Sequence, residues 1–151
     1  MQSKNLKAFL DMIAFSEGTS TIKNSDNGYN VVVGGSLFNN YSDHPNIVVH
    51  LPKLGIRSTA AGRYQILRRY FVAYKEQLGL PDFSPESQDK IAIQLIRECR
   101  ALQDIEQGNI ETAIEKCSSR WASLPGAGYG QREHTKQTLL AKYSEALKEY
   151  V

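Results

Sequence analysis

At 151 residues the chain is long enough to bury a true core without staples, and one domain is the expected organisation. Hydrophobic residues make up 41% and charged residues 23%, and a net charge of +2 is too mild for the basic stripe that nucleic acid requires, so no nucleic-acid partner is expected. No window approaches the ~20 apolar residues of a membrane span, and Asp11 and Glu17 interrupt the stretch behind Lys4 and Lys7 that would otherwise pass for a secretory signal.

The expectation is therefore a chain made and held in the cytosol, without stable membrane insertion. Leu6, Phe9, Leu10 and Ile13 follow the i, i+3, i+4, i+7 rule, which predicts a first helix that stops at Gly18. Tyr29 to Val33 reads as a short strand before the turn signal Gly34-Gly35. Ile47 to Leu51 reads as a second strand, ended by Pro52. Helix resumes after Gly62, with Tyr64, Leu67, Phe71, Tyr74 and Leu78 on one stripe and Gly79 at the stop.

Ser84-Pro85 is a strong start signal for the next helix, whose Ile91, Ala92, Leu95, Ile96 and Cys99 form a nearly all-apolar stripe. Asn109 caps a helix facing Ile110, Ala113, Ile114 and Cys117 inward. Leu139, Leu140, Tyr143, Ala146, Leu147 and Tyr150 give a closing amphipathic helix. The pattern is helix-rich α+β, with the strands forming a small sheet or flap near the N-terminal third. Cys99 and Cys117 lack both C-x-x-C pairing and metal-ligand spacing, which favours free, buried thiols. His44, His50 and His134 make no local motif, so no structural metal is expected.

Glu17 continues the apolar face of the first helix, four positions after Ile13 and seven after Leu10. A carboxylate there is costly unless it is paired, neutralised or exposed in a cleft. Partial burial favours the protonated form, which suits a glycosidase acid. The plainer reading is a glutamate that ends a helix at the surface. Asp26 lies nine positions further on, across a Ser/Thr/Asn-rich stretch. A hairpin there would pair the two carboxylates for ordinary hydrolysis, whereas Asp26-Asn27-Gly28 is strong turn chemistry. Around Ala60-Ala61-Gly62-Arg63-Tyr64-Gln65 the backbone can approach a ligand, with Gln65 offering donor and acceptor to sugar hydroxyls or acetamido groups. Arg63 and Tyr64 can equally be a structural pair at a helix start. Leu124 to Gln131 reads as a glycine-rich loop at a cleft wall, while Trp121 beside it suits core packing.

Assembled in order, Ala8-Phe9-Leu10-Asp11-Met12, Ser16-Glu17-Gly18-Thr19, Tyr41-Ser42-Asp43-His44-Pro45, Gly62-Arg63-Tyr64-Gln65, Asp82-Phe83-Ser84-Pro85 and the run from Trp121 to Gln131 closely resemble the lambda-type phage endolysins. The resemblance spans nearly the whole chain. It implies a lysozyme-like fold and a lytic transglycosylase acting on peptidoglycan, with Glu17 as the one catalytic acid/base and no cofactor or metal. It further implies that Gln65, Tyr129 and Gln131 line the saccharide groove, with Tyr64, Asp43 and His44 as further substrate-binding candidates. One lip would be the loop at 125–131 and the other the segment around 50–60. The expected partner is the glycan strand, reached from the cytosol with the help of a holin-like permeabilising protein, and the expected state is a monomer.

Two other readings stand beside it. A hydrolytic muramidase would use Glu17 and Asp26 with water. The spacing resembles that of the other common phage lysozyme family, but that family's threonine six positions after the aspartate is Val32 here. A non-catalytic wall-binding module would keep the groove and lose the chemistry.

Overall fold

A computed structural model of the chain describes residues 2–126 and 133–150. Among these residues there are six helices and one two-stranded antiparallel sheet, an α+β architecture that is mostly helical. They pack as two compact units, one holding the residues up to Ser16 and those from Ala92 onward, the other Glu17–Ile91. No helix among the described residues is long and apolar enough to cross a membrane.

In the first unit, α1 (Lys4–Glu17) begins where Ser3 Oγ accepts from the Leu6 amide at 3.1 Å, satisfying one of the orphan donors of the first turn. Its Leu6, Phe9, Leu10 and Ile13 are all buried, as their spacing predicts. Each such side chain contributes about 1.5–3 kcal/mol relative to exposure. The second half of α3 (Pro85–Glu98) adds Ala92, Leu95 and Ile96 to the core of this unit. A helix absent from the periodicity reading, α4 (Leu102–Glu106), follows; five residues are too few to display a stripe.

Next come α5 (Ile110–Cys117), with its four expected residues buried, and α6 (Lys136–Lys148), capped by Thr135. Asn109 stands at the N-cap position of α5 but makes no capping bond with its side chain. The closing stripe is narrower than its spacing suggests. Leu139 and Tyr143 are buried, whereas Tyr150 is exposed beyond the helix and its hydroxyl donates to Asp11. Trp121 is buried, and Ser16 is tied down by Ser123 (Oγ to Oγ, 2.7 Å) and by His134 Nε2 on its carbonyl (3.1 Å).

The second unit opens at Glu17, and Gly18, with φ of 78°, ends α1. The run Tyr29–Val33 does not form the expected strand. Val31 and Val32 make only lone bridges, to Leu37 and Ala61, because Gly34 and Gly35 at φ 92° and 101° reverse the chain at once. The sheet is instead the ribbon of β1 (Val49–Leu51) and β2 (Ile56–Ser58), in the register Val49↔Ser58, His50↔Arg57, Leu51↔Ile56.

The helix expected after Gly62 starts only at Arg68: α2 runs Arg68–Leu78 and closes on Gly79 at φ 66°. Residues 61–66 form a bridged turn, Ala61↔Ile66, with Gln65 itself at φ 54°. Tyr64 fitted the helical stripe by spacing, but it is buried from a turn. Phe38, His44, Phe71 and Phe83 form the aromatic core of this unit, with His44 and Phe83 ring centroids 4.9 Å apart and Phe71 and Phe83 5.0 Å apart.

Candidate active site

Glu17, the last residue of α1, is half-buried at the edge of a cavity of about 210 Å³. The lining also includes Gly18, Thr19, Ile22, Val31, Val32, Gly34, Gly35 and Gln65. Among the described residues of that lining, Glu17 is the only one with a titratable side chain. The glycines at 34 and 35, expected only as a turn, keep the rim free of side chains.

Gln65 reaches the cavity from its left-handed backbone position, with Nε2 donating to the Gly62 carbonyl (2.9 Å) and more weakly to that of Val31 (3.3 Å). Those bonds use the amide's donors and leave Oε1 to accept from a ligand. One carboxyl and one oriented amide in a recess of mixed polar and apolar lining can deliver a proton and hold an acetamido group.

Behind the cavity stands a platform built on Arg63. Its guanidinium lies over the rings of Tyr29 (5.3 Å) and Tyr64 (5.6 Å), a cation–π arrangement on both. Nε donates to the Asn27 carbonyl at 3.1 Å and one terminal nitrogen to Tyr64 Oη at 3.1 Å. The Tyr29 and Tyr64 hydroxyls both donate to Asp89 Oδ1, at 2.8 and 2.6 Å. Burial, and then the charge of Asp89, push the Tyr29 phenol up to about 12, so it stays a donor at any working pH. Tyr64 is 1% exposed and its hydroxyl is occupied by Asp89 and Arg63, so it braces the site rather than meeting a ligand.

Asp43 and His44 line a different cavity, of about 260 Å³, bounded by Phe38 to Pro45. Asp43 pairs with Arg68 at 2.7 Å. His44 is buried with both ring nitrogens occupied: Nδ1 accepts from the Asn46 amide at 3.0 Å and Nε2 donates to the Ile66 carbonyl at 2.8 Å. Burial holds its pKa below the usual 6.5. Both residues therefore brace the loop leading to the ribbon.

Asp26 is exposed, at the start of a turn closed by the Tyr29 amide, and its Oδ2 accepts from Tyr41 Oη at 2.7 Å. It is not part of the lining around Glu17. Tyr129 and Gln131, expected on the groove lip, lie outside the described residues. Cys99 and Cys117 are free, as expected; Cys117 is buried, but Cys99 is partly exposed. No group of His, Cys, Asp and Glu suited to a metal occurs among the described residues. Sequence reading missed Thr19, Ile22 and Asp89. Thr19 stood inside the Ser16-Glu17-Gly18-Thr19 motif, while nothing local marks Asp89 apart from other acids.

A sequence model of the Endolysin family matches residues 7–149. The endolysin of Escherichia phage lambda is 58% identical over 143 residues, covering 93% of this chain and 89% of its own length. The endolysin of Escherichia phage P2 is 51% identical over 153 residues, covering 95% and 93%. Among solved structures, bacteriophage lambda lysozyme complexed with a chitohexasaccharide superposes with a TM-score of 0.93 at 54% identity, over 97% of this chain and 96% of that one. A second structure of the lambda lysozyme gives 0.88 at the same identity and coverage. The described fold is thus that of the lambda lysozyme, and with the match extending over nearly its whole length the chain belongs to the endolysin family.

Proposed function

We propose that the protein is a lytic transglycosylase that cuts the β-1,4 bond between N-acetylmuramic acid and N-acetylglucosamine in peptidoglycan, with Glu17 as the one acid/base. The carrying observation is the solitary carboxyl among the described residues of the cavity lining, beside the oriented amide of Gln65. Glu17 protonates the leaving glycosidic oxygen as the bond to the muramic anomeric carbon breaks. The resulting carboxylate takes the proton of the muramic C6 hydroxyl, whose oxygen closes on that carbon. A 1,6-anhydro sugar forms and no water is consumed, so one carboxyl serves both steps.

Its place in the last turn of α1 supports the acid role, because the carbonyl end of a helix disfavours negative charge. A glycan substrate is supported by the relative solved with a chitohexasaccharide. Gln65 Oε1 would accept from an acetamido N–H, and Tyr129 and Gln131 would complete the groove. In this reading the two units form one catalytic domain. The protein acts as a monomer, is held in the host cytoplasm, and reaches the wall once a holin-like partner opens the membrane.

Hydrolysis through a Glu17–Asp26 pair is the weaker reading, because the Asp26 carboxylate is engaged by Tyr41 and does not belong to the lining. Mass spectrometry of muropeptides released from purified peptidoglycan separates the two. Fragments ending in anhydro-muramic acid, lighter by one water and absent with Glu17→Gln, are expected. Ordinary reducing ends would establish hydrolysis, and binding without release by the unmodified protein would indicate a wall-binding module.

A further inference from the structure

We infer that Thr19 is a positioning residue for Glu17, acting through the bond of its hydroxyl to the Arg63 carbonyl. The inference rests on the reading of Glu17 as the acid/base and extends it to the group that fixes where that acid stands.

Only Gly18 separates the two residues, and it sits in the left-handed region with nothing within 4 Å of where a Cβ would be. A link of one residue leaves little play, so what holds Thr19 bounds where Glu17 stands on this side. Thr19 is held closely. It is 1% exposed, and its Oγ1 donates to the Arg63 carbonyl at 2.6 Å. Gly28 closes over it so tightly that a Cβ there would lie 2.9 Å from both the Thr19 carbonyl carbon and Oγ1.

The acceptor is itself held on several sides. The Arg63 amide donates to Gln88 Oε1 at 2.9 Å, and its side chain is locked between two tyrosines whose hydroxyls meet on Asp89. Thr19 thus couples the cavity wall to a platform assembled from distant parts of the chain. A valine there keeps the branched shape but removes the hydroxyl, and with it the bond to the Arg63 carbonyl, whereas a serine keeps that bond. Displacing a catalytic group by about 1 Å can lower a rate by about 100-fold.

The test compares Thr19→Val, Thr19→Ser and Glu17→Gln with the unmodified protein, measuring kcat and KM for muropeptide release well below each melting temperature. Thr19→Val is expected to lower kcat about tenfold or more with KM held within about twofold, and Thr19→Ser, which keeps the hydroxyl, to recover most of the loss. An unchanged kcat in Thr19→Val, with Glu17→Gln inactive, overturns the inference and leaves the reading of Glu17 intact. A loss that Thr19→Ser does not recover also overturns it, since the methyl rather than the hydroxyl would then matter. An active Glu17→Gln overturns the underlying reading and the inference with it. Should Thr19→Val fail to fold, Tyr64→Phe loosens the platform while keeping the stacked ring. Its expected result is a kcat about threefold lower at unchanged KM, and an unaltered kcat refutes the positioning role.

Discussion

Replacing Gly62 by alanine tests the close packing on which the Arg63 platform depends. Gly62 has φ of 85°, and a Cβ there would fall 2.4 Å from Gln88 Oε1 and 2.9 Å from Phe83 Cζ. Neither neighbour can give way cheaply. Gln88 is fully buried, its Nε2 donating to the Tyr29 and Phe83 carbonyls at 3.1 and 2.9 Å and its Oε1 accepting from the Arg63 amide. Phe83 is fixed among Phe38, His44 and Phe71. The left-handed backbone costs a non-glycine residue about 1–2 kcal/mol, and overpacking a core adds roughly 1–3 kcal/mol.

A total of about 2–5 kcal/mol at roughly 2–4 °C each corresponds to a melting temperature lower by about 4–20 °C. Gly79→Ala is the control, since φ there is 66° and nothing lies within 4 Å. It carries only the backbone cost, about 1–2 kcal/mol. Thermal unfolding followed by circular dichroism compares the two. If Gly62→Ala melts within about 2 °C of Gly79→Ala, the crowding argument is wrong.

Three other outcomes are expected. Because burial depresses the His44 pKa, the unfolded chain binds that proton more readily; the contribution to stability is complete above pH 6.5 and is lost as pH falls below it towards the folded value. Melting curves from pH 7.5 to 5 should show this decline, and His44→Gln should flatten it. Cys99, held down to about 7 chiefly by a hydrogen bond from Cys117, should be alkylated by iodoacetamide with a midpoint near that pH. Cys117→Ala should move the midpoint up towards 9.0, whereas an unmoved midpoint would remove Cys117 as the cause. Asp26→Asn should leave anhydro products and a kcat within about twofold of the unmodified protein, while a loss of roughly 100-fold would restore the two-carboxylate mechanism.

Glu17 stood out as a carboxylate continuing an apolar stripe, and the structure places it half-buried on a cavity lining; spacing alone left its role open, and the resemblance supplied the expectation of an acid. The faces of α1, α3 and α5 were legible because their burial follows from spacing alone. The start of α2 was not. Tyr64 and Leu67 obey helical spacing, but Gln65 must take a left-handed backbone to close the turn at Ala61–Ile66, and periodicity does not register that requirement.

The β2 strand and α4 were missed because three and five residues carry no periodic signal. Least visible was the support of the site. The bond from Thr19 to Arg63 spans 44 positions and that from Tyr29 to Asp89 spans 60. Arg63 could be read as a partner of Tyr64, but its role in holding Thr19 depends on chain closure that no local pattern encodes. His44 entered through the Tyr41–Pro45 stretch that carries the resemblance, and nothing local in that stretch announces the two backbone partners that its ring nitrogens take.

The β1–β2 ribbon has a bearing on solubility. In a sheet of two strands each is an edge, and Ile47, Val48 and Ile56 beside those edges are exposed by 44%, 58% and 47%. An open, aliphatic edge is a template for pairing with another copy. Here Pro52 interrupts the run, and Lys53 and Arg57 place like charges where two ribbons would meet. These residues act as gatekeepers against self-association. Neutralising both cations should leave the protein's melting temperature nearly unchanged while light scattering rises with protein concentration.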